Sequence, residues 1–424
     1  MKKKEELSFW QIWNMAFGFL GIQFGWGLQM GNMSAIYEFL GASPDQIPLL
    51  WLAAPMTGLI VQPIIGYLSD KTWHPILGRR KPYFLIGAIL ASVTLVLMPY
   101  SSAVWMAAGM LWILDASINI SMEPTRAFIA DVLPQKQLSR GYTMQSFFIG
   151  FGAVLAALMP WFLLNVVGMD KISGDGSIPD YVKVSFLVGG ISFLGAMLWT
   201  IFTTKEYPPE FYDDNDQEES IGYLEGLKVA FKNMPKSFIQ LAPVQFFTWL
   251  GLFLMWFYLT ITICEHVFGA SDPNSELYAD GLAWANICFG YYSVVTFLFA
   301  LVMPTLANLM GNIRLHFMCL IFGGVGLISI GLIHNQYLLL LPMTGVGIAW
   351  ASIVSIPYAL IARDIPAKQM GIFMGLFNMF IVLPEIIAAL GFGWVMSTFL
   401  DNNKLHAVML GGLLLIIAGL LTIR

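Results

Sequence analysis

Apolar stretches of membrane-crossing length follow one another along almost the whole 424-residue chain. A helix needs roughly 20 apolar residues to cross about 30 Å of hydrocarbon. In lipid, only helices and closed barrels satisfy their own backbone groups. Measured against that length, the sequence reads as twelve spans, near 10–31, 47–68, 82–99, 102–128, 141–165, 184–204, 237–264, 281–303, 313–333, 337–362, 370–397 and 404–423. Composition excludes the soluble alternative. Only 11% of the residues are charged and 58% are hydrophobic, whereas a soluble domain is about 25% charged. A water-soluble globule of this size could not cover so much apolar side chain. The chain reads as an all-α integral membrane protein in contact with the lipid bilayer.

The basic segment MKKKEELSFW runs into the first span without a small-residue cleavage site, which predicts a retained helix rather than a signal peptide. Lys and Arg set topology, while Asp and Glu contribute little. Lys2, Lys3 and Lys4 precede span one, and Lys71, Arg79, Arg80 and Lys81 follow span two. Lys136 and Arg140 follow span four, and Lys205, Lys228, Lys232 and Lys236 fall in the central segment. Arg314, Arg363, Lys368 and Arg424 lie on the same side, against only Lys171, Lys183 and Lys404 on the other. Both termini and the central segment are therefore expected in the cytoplasm, with the chain in the cell (inner) membrane.

Most connections are short. The central segment 205–236 is longer and carries Pro208, Pro209 and the acids Asp213, Asp214, Asp216, Glu218 and Glu219, which read as a solvated face. It divides the chain into an N-terminal bundle, 1–204, and a C-terminal bundle, 237–424. An internal repeat supports the division. IADVLPQKQ at 129–137 recurs as IARDIPAKQ at 361–369, an offset of 232 that maps the exit of span four onto the exit of span ten. Two pseudo-symmetric six-helix bundles in parallel orientation resemble the architecture of major facilitator transporters, which bind their solute midway through the bilayer.

Ionisable groups inside hydrocarbon are costly, so each is a functional candidate by default. Asp115 lies about thirteen residues into span four, within WILDASINISMEPTRAF. Asn119, Met122 and Arg126 follow it at +4, +7 and +11, and eleven steps of about 100° return to nearly the same face. This polar stripe is expected to face a cavity rather than lipid. Asp115 and Arg126 are about 16 Å apart along the axis. Arg126 is therefore expected to pair with Glu123, with Asp131 or with a group on another helix. Glu385, in FNMFIVLPEIIAAL of span eleven, reaches nearly the same depth as Asp115. Withdrawal from water penalises a carboxylate's charge, which suits both acids to loading and unloading a proton. Each could equally be a structural pair or a permanently protonated, hydrogen-bonded carboxyl.

Span one carries Gln23, Trp26 and Gln29 among Gly21, Gly25, Gly27 and Gly31. Amides donate and accept, and indoles stack on the apolar face of a sugar ring. Such a set suits a neutral polyhydroxylated solute, and Asn378 in span eleven could serve in the same way. Alternatively, the glycines permit close helix packing and Trp26 fills space. In GYLSDKTWHPILGRRKP after span two, Asp70, Lys71, Gly78, Arg79 and Arg80 resemble the facilitator loop motif, in which ion pairs lock one conformation. Positive-inside anchoring accounts for part of this pattern.

Other chemistry finds no signature. Cys264, Cys288 and Cys319 are scattered, with neither CxxC nor a ligand spacing, so no disulfide framework, metal site or cofactor is expected. No phosphate loop, HExxH or GxSxG occurs, which argues against ATP-driven transport and against an enzyme. The formal charge of −5, with no basic stripe, argues against nucleic acid. His74 in a loop and His266 at a span end read as surface residues.

Several stretches, in order, resemble the sucrose–proton symporters of plants and their bacterial and animal relatives, within the glycoside–pentoside–hexuronide:cation symporter group. They are GIQFGWGLQ, LLWLAAPMTGLIVQPIIGYLSD with GRRKP, LDASINISMEPTRAFIAD, SIPYAL and GLFNMFIVLPE. The resemblance implies that Asp115 is proton acceptor and sugar ligand, with Arg126 as the arginine eleven residues later. Met122 and Glu123 stand where the plant proteins usually carry Gln and Gly, and Glu385 replaces a usual Gln. The expected function is proton-coupled import of a disaccharide, sucrose, maltose or a related glucoside, by alternating access, with sugar and protons as partners and a monomer as the working unit. A sodium-coupled glycoside symporter, a proton-driven efflux antiporter and a non-transporting sensor are the alternatives.

Overall fold

The computed structural model describes residues 4–173, 177–208, 231–232, 234–361 and 370–423. Among them every long element is a helix and none is a strand. A lone antiparallel bridge joins His74 to Gly78. The helices are α1 Phe9–Ala16, α2 Gly18–Phe39, α3 Ile47–Leu50, α4 Ala53–Lys71, α5 Lys81–Leu97, α6 Val104–Val132, α7 Leu138–Phe162 and α8 Asp180–Thr203. They continue as α9 Lys236–Thr262, α10 Glu276–Met310, α11 Asn312–Ser329, α12 Leu340–Ile353, α13 Ile356–Ile361, α14 Met370–Phe399 and α15 Lys404–Thr422. The acidic run of the central segment, and the second repeat beyond Ile361, lie outside the described residues.

Local sequence explains the boundaries. Ser8 opens α1 with a capping box: its hydroxyl accepts from the Gln11 N–H, and the Gln11 side chain accepts from the Ser8 N–H. Span ten is broken between α12 and α13, just before Pro357, whose ring disfavours continuous helix through the preceding turn. Among the described residues, eleven helices are long and apolar enough to cross a membrane. The remaining long helix, α2, is less apolar because it carries Gln, Asn and several Gly residues. Several helices overrun their expected spans, α10 most clearly, because a helix continues past hydrocarbon until a capping or breaking residue stops it.

The chain forms two compact units. One is built from α1, α2, α5–α8, most of α4 and Asn274–Ala279 at the start of α10. In it, α2 packs on α7 and α8, and α5 packs on α6 and α8. The other takes α9, the rest of α10, α11–α15 and also Ser43–Pro55. The Tyr258 hydroxyl donates to the Pro44 carbonyl at 2.8 Å, and α3 lies on α14, which binds this segment to the second unit.

Water drives no association between helices in lipid, so close backbone approach at small residues holds them together. In the second unit, α15 packs on α9 and on α11. A Cβ on Gly251 would lie 2.6 Å from the Gly411 carbonyl oxygen, and one on Gly411 equally close to that of Gly251. Gly324 and Gly412 face each other in the same way, at 2.5 and 2.6 Å. Neighbouring glycines of α15 thus let two different helices approach it. Gly412→Val should therefore lower the unfolding temperature in detergent by about 2–5 °C through overpacking. Gly195→Val, where an added Cβ meets no atom within 4 Å, should leave it unchanged. Equal stability of the two variants in a thermal scan would contradict this packing account.

Candidate functional site

Asp115 sits midway along the 29-residue α6 and is 4% exposed. The Gln29 amide, from α2, donates to its Oδ1 at 2.8 Å, while Asp115 Oδ2 is buried without a hydrogen-bond partner. Gln29 Oε1 is buried and unpartnered as well. One turn on, the Asn119 amide donates to the Asp115 carbonyl at 2.9 Å and to Thr57 Oγ1 at 3.3 Å. Gln62 of α4 donates to Asn119 Oδ1 at 2.7 Å. Three helices therefore gather amides and a hydroxyl around Asp115, of which the Gln29 amide bonds the carboxyl itself, and the carboxyl is buried within the unit. Trp105, Trp112 and Ile113 cover the exposed side of α6 instead.

The stripe from Asp115 stays buried through Asn119 and Met122 and then emerges: the Arg126 side chain is 42% exposed. Glu123 Oε2 lies 4.0 Å from Arg126 Nη1, a pair at the outer limit of ionic contact and worth little in so open a setting. Asp131 is not a partner of Arg126. It accepts from Arg79 and Arg80, each at 2.8 Å. The expected charge network is thus two separate sets, because Asp131 at the end of α6 meets the loop after α4.

That loop is built around Gly78. Its φ of +84° is left-handed, and a Cβ there would lie 2.8 Å from the Glu206 carboxyl carbon. Glu206 caps the start of α5, accepting from the backbone N–H groups of Arg79, Arg80 and Lys81. A carboxylate at a helix N-terminus satisfies orphan donors and complements the dipole. The residues before Gly78 close on themselves, with paired backbone bonds between His74 and Gly78 and with His74 Nδ1 accepting from Ile76 and Leu77. The guanidinium of Arg80 holds Asp70 at 2.5 Å, Asp131 and the Ser69 hydroxyl together. Burial works against its charge, but Asp131 and Asp70 outweigh burial and raise its pKa above the ordinary arginine value. Lys71 is placed apart from these pairs, with its ammonium over the Tyr67 ring.

In the second unit, Glu385 is 8% exposed on α14, directly after Pro384, with no hydrogen-bond partner among the described residues. Asn378, seven residues earlier and on the same face, is half-buried and likewise makes no described hydrogen bond. In α2, Gln23 and Trp26 are half-buried, while Gly21 and Gly27 pack against α8 and α7, so the packing role of the glycines and the polar role of Gln29 coexist.

Sequence reasoning passed over Thr57, Gln62 and Glu206. Thr57 and Gln62 were legible as the polar residues of an otherwise apolar span. Glu206 carried no local signal, since its partners lie some 125 residues earlier in the chain. His316 was also passed over. It is fully buried, its Nδ1 2.5 Å from the Ser352 hydroxyl, as a polar pair within the second unit.

Comparison with known proteins accords with this architecture. The chain is 24% identical to the Sucrose transport protein SUT5 of Oryza sativa subsp. indica, over 95% of this chain and 85% of that protein. It is 26% identical to the General alpha-glucoside permease of Schizosaccharomyces pombe, over 57% of this chain and 46% of that protein. The solved nucleoside transporter NupG superposes with a TM-score of 0.74 at 12% identity, covering 98% of both chains. A D-xylose-proton symporter superposes at 0.70 and 16% identity, covering 98% of this chain and 97% of that one. At such identities the two structures speak for the fold alone. The family model of the Major Facilitator Superfamily matches residues 15–389, and the chain belongs to that superfamily of membrane transporters.

Proposed function

We propose that this chain is a proton-coupled importer of a disaccharide or related glucoside, working by alternating access in the cell membrane with both termini in the cytoplasm. One observation carries the reading: a carboxyl buried in mid-span, with one oxygen bonded to Gln29 and the other without a partner. A buried charge left without full pairing is unfavourable, and binding a proton removes it. A sugar hydroxyl can donate to the same open oxygen. The amides of Gln29, Gln62 and Asn119, on three helices, suit a neutral polyhydroxylated solute better than an oily one. The relatedness to a sucrose transport protein and an alpha-glucoside permease supports the same solute class.

In this scheme Asp115 takes the proton and one sugar hydroxyl, with Gln23, Trp26, Gln29, Asn119 and Asn378 as further sugar ligands. Glu385 is a second proton-coupling acid. The loop of Asp70, Gly78, Arg79 and Arg80, with Asp131 and Glu206, holds one conformation by ion pairs and releases it during turnover. Lys71, Glu123 and Arg126 serve as charges at the membrane boundary. The working unit is a monomer of two six-helix halves, 1–204 and 237–424. Proton and sugar must favour the same conformers, or no coupling results.

In proteoliposomes under an imposed inward pH gradient, Asp115→Asn should lose sugar accumulation, with the inside-to-outside ratio falling to roughly one, while sugar exchange persists. Gradient-driven accumulation at the wild-type level in that variant would remove Asp115 from the coupling step. Replacing sodium by choline should leave wild-type uptake unchanged, and a requirement for sodium would move the coupling ion from proton to sodium. Arg80→Lys keeps the charge but not the fork that spans Asp70 and Asp131. It should cut maximal uptake several-fold with little change in KM, which initial rates against sugar concentration will show.

A further inference from the structure

The second unit contains a group of side chains to which no role has been given above. On α9, Gln245, Trp249 and Trp256 recur at four- and seven-residue steps and so share a face. Trp350 of α12 closes against them. Its ring lies 5.9 Å from Trp249 and 5.6 Å from Trp256, edge to face at 79° and 83°. Trp249 and Trp256 are themselves 6.3 Å apart.

The polar atoms of this group are incompletely satisfied. The Trp249 indole N–H donates to Gln245 Oε1 at 2.8 Å. The Gln245 amide nitrogen and the Thr248 hydroxyl are buried with no partner, although both residues are 1% exposed or less. Trp350 makes no hydrogen bond among the described residues. Buried polar atoms are nearly always paired, so two unpaired ones beside an aromatic cluster require an explanation.

Lipid exposure does not explain the half-exposed rings. The apolar stretch of α9 is 83% buried, against 0% for the most apolar stretch of α10. Trp256 is half-buried on the most enclosed long helix of its unit. In the internal repeat Trp350 corresponds to Ile118, between Asp115 and Asn119: it precedes Ile361 by eleven residues, as Ile118 precedes Ile129.

We infer that Trp249, Trp256 and Trp350, with Gln245 and Thr248, form a sugar-ring subsite in the second unit that receives one pyranose of a glycoside. The indole faces meet the C–H face of the ring. The Gln245 amide and the Thr248 hydroxyl bond its hydroxyls. A linear polyol, which has no such face, is excluded. The inference rests on the glycoside reading of the preceding subsection and extends it to residues outside the carboxyl site.

The test is initial uptake of radiolabelled sucrose and maltose by the full chain in proteoliposomes, with the unfolding temperature of each variant measured in parallel. Trp350→Ala and Gln245→Ala should each raise KM about tenfold and leave the maximal rate within about twofold. Trp350→Phe, which keeps an aromatic face, should raise KM only about threefold. Methyl α-glucoside should compete with uptake, and sorbitol should not. Trp105→Ala, on a residue 78% exposed, serves as a control expected to match wild type. If wild type transports a glycoside and neither alanine variant moves KM, this subsite is rejected and the importer reading stands. A fall in stability and maximal rate at constant KM would reassign the cluster to packing. Absence of glycoside uptake by wild type would overturn both.

Discussion

One half-satisfied carboxyl organises the chemistry proposed for this chain. Asp115 Oδ2 and Gln29 Oε1 are both acceptors, both buried and both without a donor. Such groups normally carry a penalty of about 1–3 kcal/mol each. Two kinds of donor can relieve it. In the proposed scheme a sugar hydroxyl donates to one of these oxygens. A proton on Asp115 converts one acceptor into a donor and removes the charge in the same event. Arranging acceptors without donors in a dry place thus selects for proton and polyhydroxylated solute together. The close packing of α2, against α7 and α8, is what puts Gln29 within reach of α6.

The charges at the end of α4 follow the opposite rule. Asp70, Asp131 and Glu206 each hold arginine side chains or backbone N–H groups, and Arg80 bridges two of the acids with one guanidinium. Several hydrogen bonds share each group, so loss of one partner leaves others charged and partly buried. In the proposed scheme this network sets which conformation is preferred. Its carboxylates all accept from arginine side chains or backbone N–H groups, unlike the half-satisfied carboxyl of Asp115.

Much of this was legible in the sequence. The spans could be read because hydrocarbon admits only helices, and Asp115 could be read because an acid there is conspicuous. The facing of Asp115, Asn119 and Met122 followed from 3.6 residues per turn. Partners across the fold were less legible. Asp131 was expected as a possible partner of Arg126 but meets Arg79 and Arg80, since the path of the loop after α4 decides the matter and periodicity says nothing of it. Glu206 lies in a segment with no apolar pattern. Trp249, Trp256 and Trp350 look like ordinary span residues until α9 and α12 are brought together. In an apolar chain an aromatic residue carries no sequence contrast, whereas an acid does.

The distribution of chemistry between the two units bears on how an importer could release what it binds. Affinity drawn only from a charged or protonated carboxyl would vary with every proton exchanged. Affinity drawn only from stacking would not respond to protons at all, and a solute held that way would equilibrate without accumulating. Coupling requires a free-energy term that both ligands share, and by reciprocity the proton must strengthen sugar binding by the factor that sugar strengthens proton binding. In the proposed scheme, aromatic faces in one unit supply binding indifferent to charge, and one carboxyl in the other supplies the term that depends on it. Glu385, buried in the second unit without a described partner, is the group that could extend that dependence to both halves. With two acids, a neutral carrier needs two protons rather than one. The charge moved per sugar then depends on whether Glu385 is ever ionised during the cycle.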